Sequence, residues 1–362
     1  MPVKSDSGSG QKLRDNAPVS SDSVPTAPDA GLMPVENNNF GWKATVSQYV
    51  GQTVDKKYEL LDLVGTGGMG SVYKAKQLST ERIVAVKMLL PHLANEGPSL
   101  RRFQLEAKAA SRIDHPNSIT VYDFGVWQDQ AFLVMEYVEG SSLSQLIREK
   151  GKINLPESLP IFRQACAGLS AAHRLGIYHR DVKPSNFMVI PTVDGIVVKV
   201  CDFGLVKLKV TEGDTITGTG EVFGSPPYMS PEQCLGRTID ERSDIYGLGC
   251  LIYETLTGFV PIKGANPLDT MRKQVSSPPQ PLSLSDVDPA IAFKAKVLVE
   301  KTLSKEPADR FQSMQQLGEA LDQLQEEVSP RRNPRDAGNS WGQRMLPGWD
   351  AFSKKRKSPF EK

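Results

Sequence analysis

The rhythm of apolar and polar positions changes twice along the chain. Three runs, Tyr58–Val64, Ser71–Gln77 and Ile83–Leu89, are rich in β-branched and apolar residues. The turns between them carry Gly or Ser-Thr-Glu, which predicts strands. Leu100, Phe103, Ala107, Ala110 and Ile113 then recur at three- and four-residue steps, predicting a helix over Ser99–Ile113. Strands are expected near Ile119–Phe124 and Phe132–Tyr137. Beyond Gly140 the pattern is mostly helical, with candidates at Ser158–Leu175, Asp244–Thr257 and Gln312–Val328, and with short strands at Phe187–Ile190 and Ile196–Cys201. Strands first and helices later predict an α+β chain of two lobes rather than alternating βαβ units.

The ends break this pattern. Residues 1–50 are rich in Ser, Gly, Pro, Asp and Asn and bury too little to offset ordering entropy. We therefore expect a disordered segment 1–55, a folded region 56–328 with a small lobe 56–138 and a large lobe 139–328, and a disordered tail 329–362. Residues 331–362 hold nine Lys/Arg against Asp336, Asp350 and Glu361. The plain reading is a solvated basic tail. Contact of Lys354–Lys357 with an anionic lipid or nucleic acid is the alternative, which we do not favour.

Composition narrows the classes further. The 362 residues carry 43 Lys+Arg against 42 Asp+Glu, so no whole-chain field favours nucleic acid or membrane. Cys166, Cys201, Cys234 and Cys250 form no CxxC pair, which argues against a disulfide framework or zinc site and for a reducing, cytoplasmic compartment. Tyr246–Val260 is interrupted by Glu254 and too short for a membrane span, so it is expected as a buried helix. The polar N-terminus shows no signal-peptide pattern.

Chemistry concentrates in four places. Gly65-Thr66-Gly67-Gly68-Met69-Gly70-Ser71-Val72 is followed by a strand pattern, not the helix a dinucleotide fingerprint needs, and it lacks the Gly-Lys-Ser/Thr end of a Walker loop. A hairpin flap over nucleotide phosphates remains, against a plain Gly-rich turn. Lys87 lies on the third strand and Glu106 on the predicted helix; such a pair fits a cleft, though alone it would read as a surface salt bridge. His179-Arg180-Asp181-Val182-Lys183-Pro184-Ser185-Asn186 crowds polar groups into one loop. Asp181 could accept a hydroxyl proton, Lys183 could neutralise a phosphate and Asn186 could offer oxygen to a hard cation. Asp202-Phe203-Gly204 follows a strand, where a carboxylate suits Mg²⁺. Singly, each aspartate reads as a turn or cap.

Together, Gly65/Gly67/Gly70/Val72, Lys87, Glu106, His179-Arg180-Asp181, Asn186, Asp202-Phe203-Gly204 and Ser230-Pro231-Glu232 follow the order and spacing of the eukaryotic-like protein kinase signature set. The chain resembles the serine/threonine branch of that family, through Lys183, and its bacterial members, through GTGGMGSVYKA, HPN (115–117), MSPEQ (229–233) and Asp309-Arg310. The match covers about 270 residues. The resemblance implies a two-lobed kinase fold, with a small antiparallel sheet and one helix in the N-lobe and a mostly helical C-lobe. It implies ATP against Val64–Gly70, Val72, Ala85 and Lys87, with Lys87 paired to Glu106. It makes Met135 the gatekeeper and Glu136–Val138 the hinge. Asn186 and Asp202 would hold Mg²⁺, with Mn²⁺ as a substitute; Asp181 would deprotonate the substrate hydroxyl and Lys183 would stabilise the phosphoryl in flight. Glu232 would pair with Arg310, and Asp244 would start the central helix and tie down the catalytic loop.

Departures from the commonest pattern are small. Ser230 stands where Ala is usual, Ser225 where Thr is usual, and Cys201 reads as core packing. Arg180 before Asp181 goes, in the family, with control by phosphorylation of the following loop, here with Thr211, Thr215, Thr217 and Thr219. Autophosphorylation is expected at Thr217 or Thr219. The expected partners are ATP and Ser/Thr-bearing protein substrates. A nucleotide-binding scaffold and a small-molecule phosphotransferase are the competing readings.

Overall fold

The structure, a computed structural model, describes residues 49–68, 70–90, 97–203 and 224–328. Met69, Gly204, the loop threonines 211–219 and both tails lie outside the described residues. The N-terminal lobe is an antiparallel sheet of β1 (Thr53–Val54), β2 (Tyr58–Gly67), β3 (Gly70–Gln77), β4 (Ile83–Leu89), β5 (Val121–Trp127) and β6 (Gln130–Glu136), in the order β1-β2-β3-β4-β6-β5. Helix α1 (Gly97–Ala110) covers it. Phe103, Ala107 and Ala110 bury the stripe read from the sequence, and Phe103 meets Phe124 of β5 edge to face.

The described structure includes residues before the expected boundary at 56. Thr53 and Val54 pair with Glu59 and Tyr58, and Tyr49 packs edge-on against Tyr73 and Trp127. Two residues of strand and one ring were too short a signal against the polar segment before them.

The C-terminal lobe holds β7 (Ser141–Ser142), α2 (Leu143–Lys150), α3 (Leu155–His173), β8 (Phe187–Thr192), β9 (Gly195–Val200), α4 (Pro231–Cys234), α5 (Glu241–Thr257), α6 (Pro267–Ser276), α7 (Pro289–Thr302) and α8 (Met314–Val328). Helix α5 is buried nearly all round, from Ser243 to Leu256, as its continuous apolar run predicts, and forms the axis of this lobe's core. It begins at Glu241, capped by Asp240, so Asp244 lies in its first turn instead of starting it. Helix α3 likewise starts before the expected Ser158, because Asn154 caps the Glu157 N–H and Pro156 suits the first turn. Among the described residues no helix is long and apolar enough to cross a membrane.

The lobes are joined by more than the chain. Asn117 donates to the Val198 carbonyl at 2.9 Å and to Gln164 at 2.8 Å, and Ile119 N–H donates to Val200 O at 2.9 Å. Gly168 is required at this crossing, since a Cβ there would strike the Asn117 carbonyl oxygen.

Candidate active site

Strands β2 and β3 form a hairpin with Gly67 opposite Gly70, so the glycine run is a flap, and the strand-to-helix reading fails on topology. Its glycines are there for different reasons. Gly70 has φ 144°, and a Cβ would collide with the Met88 carbonyl oxygen of β4. Gly65, Gly67 and Gly68 have normal φ and open space where a Cβ would be. Packing among the described residues does not require glycine there, whereas a group drawn close to the backbone would. Behind the flap, Ala85 and Met135 are buried, and Val72, Val138 and Cys201 pack against the same cluster, which makes one apolar wall. Val64 is exposed at the flap's edge. The Glu136 carboxylate is bound by Lys199 at 2.8 Å, so its side chain braces the link between β6 and β9.

Lys87 is buried on β4 and meets Asp202 Oδ1 at 2.8 Å. Burial pushes the Asp202 carboxyl up, but the charge and hydrogen bond of Lys87 outweigh it and leave the group below its ordinary range. The expected Lys87–Glu106 pair is not made. Glu106 instead faces Arg180 at 3.9 Å, and its Oε2 is buried without a hydrogen bond. The physical reason is competition: the Asp202 carboxylate takes the ammonium, and Arg180 offers α1 another cation.

The loop from His179 to Asn186 is fixed from behind. Asp244 accepts from the backbone N–H groups of His179 (2.7 Å) and Arg180 (2.8 Å) and faces His173 Nε2 at 2.8 Å. Burial raises the Asp244 carboxyl and the His173 bond outweighs it, so the net shift is downward. His179 is fully buried; its Nδ1 accepts from Asp181 N–H (3.2 Å), so its Nε2 donates to Cys201 O (2.8 Å). Its ring lies against Phe187 and Phe203. Arg180 (φ 62°) and Asp202 (φ 57°) are held in the left-handed region, a strain of about 1–3 kcal/mol each that Asp244 and Gln233, which donates to Arg180 O at 2.9 Å, help to hold for Arg180.

On the cleft side, Lys183 Nζ reaches Asp181 Oδ2 at 2.7 Å and Ser225 Oγ at 3.2 Å. Asn186 Nδ2 donates to Asp181 O at 2.8 Å, and Cys201 N–H donates to Asn186 O at 2.8 Å. The segments carrying Asp181, Asn186 and Asp202 are thus tied by direct hydrogen bonds. Among the described residues no three His, Cys, Asp or Glu side chains gather as a protein-only metal cage. The Asn186 amide oxygen and the Asp202 carboxylate are hard oxygen donors of the kind Mg²⁺ takes when phosphate oxygens and water complete its shell.

Beyond the cleft, Arg310 is fully buried and grips both Glu232 oxygens at 2.7 and 2.9 Å, while Ser243 donates to Oε1 at 2.6 Å. Gln274, which sequence reasoning missed, donates to the carbonyls of Pro226 (3.2 Å) and Pro227 (2.8 Å) and so fixes the turn after Ser225. Its signal is invisible in one dimension, since a lone Gln on an amphipathic helix reads as solvated. Cys201, expected as core packing, also lines the apolar wall, and burial pushes its thiol pKa far up, so it stays protonated.

Comparison with known proteins agrees with this geometry. Residues 58–321 match the protein kinase domain family. The chain is 40% identical over 295 residues to the serine/threonine-protein kinase pkn3 of Myxococcus xanthus, covering 79% of this chain and 54% of that one. It is 37% identical over 283 residues to the serine/threonine-protein kinase PknB of Mycolicibacterium smegmatis, covering 77% and 44%. The crystal structure of the Mycobacterium tuberculosis PknI kinase domain superposes with a TM-score of 0.59 at 28% identity, covering 76% of this chain and 98% of that one. The chain spans about half the length of the relatives it matches, 54% and 44% for these two.

Proposed function

This chain belongs to the protein kinase domain family, and from that premise we propose that it transfers the γ-phosphoryl group of ATP to Ser or Thr hydroxyls of protein substrates. The observation that carries the reading is the convergence of Lys87, Asp181, Lys183, Asn186 and Asp202 beneath a flap whose Gly65, Gly67 and Gly68 meet nothing among the described residues that requires glycine. Phosphoryl transfer asks a protein for positioning and charge neutralisation more than for covalent work.

In this reading Val72, Ala85, Met135, Val138 and Cys201 receive the adenine and the flap N–H groups face the phosphates. Asp181, buried and steadied by Lys183, accepts the hydroxyl proton as that oxygen bonds the γ-phosphorus and the bond to the β-phosphate oxygen breaks. Lys183 neutralises the phosphoryl oxygens, and Ser225 holds Lys183 in place. Asn186 and Asp202 would hold Mg²⁺, which supplies neutralisation of the triphosphate charge. Lys87 meets Asp202 and Glu106 meets Arg180, so the family's Lys87–Glu106 pairing would require Glu106 to turn towards β4.

The test is transfer of ³²P from [γ-³²P]ATP to a Ser/Thr-bearing protein. Asp181→Asn and Lys87→Met are each expected to lower it by about 10²–10⁴-fold; transfer surviving both substitutions overturns the reading. The Arg180-Asp181 pair in the sequence, which in the family goes with control of the following loop, supports regulation by autophosphorylation at Thr217 or Thr219, residues outside those described. Intact mass and peptide mapping after incubation with MgATP should show phosphate there, and a mass unchanged in both the parent chain and Asp181→Asn removes this part.

A further inference from the structure

A cavity of about 640 Å³ opens in the C-terminal lobe, away from the catalytic cleft, between the start of α4, the loop after it, the end of α6 and the turn at 305–307. Pro231, Leu235, Val275 and Pro307 give it apolar walls, and Arg237 and Lys305 give it two cations. The volume is that of a site for a small ligand or a few side chains.

The electrostatics of the cavity are unbalanced. The half-buried Lys305 Nζ donates to Gln274 O at 2.8 Å and to Tyr246 OH at 3.1 Å, which leaves one N–H. Among the described residues no carboxylate lies within ion-pair distance of it. Glu232 borders the cavity, but both its oxygens are taken by Arg310 and Ser243. Glu306 is exposed at the rim and pairs with neither cation. Burial outweighs the opposing effect of the Cys250 and Cys234 thiols and brings the Lys305 pKa down to about 8, with the Arg310 charge adding to the fall. Arg237 is exposed, and its side chain makes no hydrogen bond or ion pair among the described residues. An ammonium drawn out of water without a counter-charge is unfavourable, and an anion arriving in the cavity would relieve it.

The cavity also connects to the catalytic face. Gln274 accepts from Lys305 through its backbone carbonyl and holds Pro226 and Pro227 through its side chain. The turn it holds carries Ser225, which binds Lys183.

We propose that this cavity is a docking site for a segment of a protein substrate in which an acidic residue stands beside an apolar one. The carboxylate would sit on Lys305 and Arg237, and the apolar side chain between Leu235, Val275 and Pro307. The apolar walls favour a peptide over a free inorganic anion, and the two cations favour an acidic peptide. The proposal rests on the kinase reading, since it makes the occupant part of a substrate.

The test separates the two. A fluorescein-labelled Leu-Asp-Glu-Leu segment is titrated with the full chain by anisotropy, without nucleotide, beside Leu-Asn-Gln-Leu and Ser-Asp-Glu-Ser controls. The acidic apolar segment should bind about 10-fold or more tightly than either control, and Arg237→Glu, Leu235→Asp and Lys305→Met should each weaken it about 5-fold or more, with folding checked by circular dichroism. The same segment, appended to an acceptor peptide through a Gly-Ser linker, should raise kcat/KM by lowering KM. Binding that ignores all three substitutions overturns the docking site. So does equal binding of the Ser-Asp-Glu-Ser control with displacement by inorganic phosphate, which would assign the cavity to a small anion. Segment binding without transfer to any acceptor supports the cavity and overturns the kinase reading instead.

Discussion

Glu106 is held in an unfavourable place. Its carboxylate is mostly buried with one oxygen unbonded, and burial holds its pKa above the usual range against the opposing charges of Arg180 and Arg102. A folded-state value above the unfolded one means that Glu106 lowers stability at neutral pH and ceases to do so as pH falls below the ordinary carboxylate range. Glu106→Gln should therefore raise the thermal midpoint by about 2–4 °C at pH 7, with the gain vanishing towards pH ~4. The same variant should lose about 10-fold or more in transfer rate, because a neutral amide partners Lys87 poorly. A midpoint that falls at pH 7 would show the Arg180 contact to be net stabilising. Glu232 is the opposite case: burial raises its pKa, but the hydrogen bonds and charge of Arg310 outweigh this and the net shift is down. That pair stabilises above the ordinary carboxylate range, and its contribution is lost as pH falls through the lowered value. Arg310→Met strands a buried carboxylate and should cost about 3–5 kcal/mol in equilibrium urea unfolding, part of which Glu232→Gln in the same chain should restore.

The elements divide the glycines into two kinds, and substitution should separate them. Gly249 lies where α5 crosses α7, and a Cβ there would meet the Thr302 side chain and Leu303. Gly249→Ala should cost about 1–3 kcal/mol by overpacking. Gly65→Ala and Gly67→Ala meet nothing, so the thermal midpoint should hold while KM for ATP rises about 5-fold or more. A KM unmoved by both would leave the flap without a ligand. The same division explains what was legible in the chain. The strand runs, the α1 stripe and the buried axis of α5 follow from periodicity because each is local. The cleft residues were legible because their order along the chain resembles a known set. Three things were not legible. Strand β1 is two residues long, the Gln274 bonds to Pro226 and Pro227 span nearly fifty positions, and the choice of Lys87 between Asp202 and Glu106 depends on where α1 sits. Register at short range is written in the pattern, whereas competition between two carboxylates for one ammonium is decided only by packing.

For the whole molecule, the cleft lies between two lobes that Asn117, Ile119 and the Lys199–Glu136 pair also link, and a ligand that bridges it should add to global stability. Lys87 and the flap belong to the sheet lobe, while Asn186 and Asp202 belong to the helical lobe. On the proposed reading a nucleotide alone would engage the flap and the apolar wall, and magnesium would add the helical lobe through Asn186 and Asp202. ADP with Mg²⁺ should therefore raise the thermal midpoint well beyond ADP with EDTA. At a ligand concentration of about 100 times Kd the gain is ~2.7 kcal/mol, or roughly 5–10 °C for a domain of this size. Asn186→Ala and Asp202→Ala should remove the magnesium-dependent increment and leave the response to ADP alone. ADP avoids phosphate transfer, so the shift reads binding without modification of the loop. The Asp202 variant carries a second consequence, because it releases Lys87 from its 2.8 Å partner and leaves an ammonium buried on β4. Without nucleotide its midpoint should fall, and the phosphates of ADP should then stabilise it at least as much as they do the parent chain. An Asp202→Ala chain that keeps the full magnesium increment would place the metal elsewhere, and with it the division of labour between the lobes.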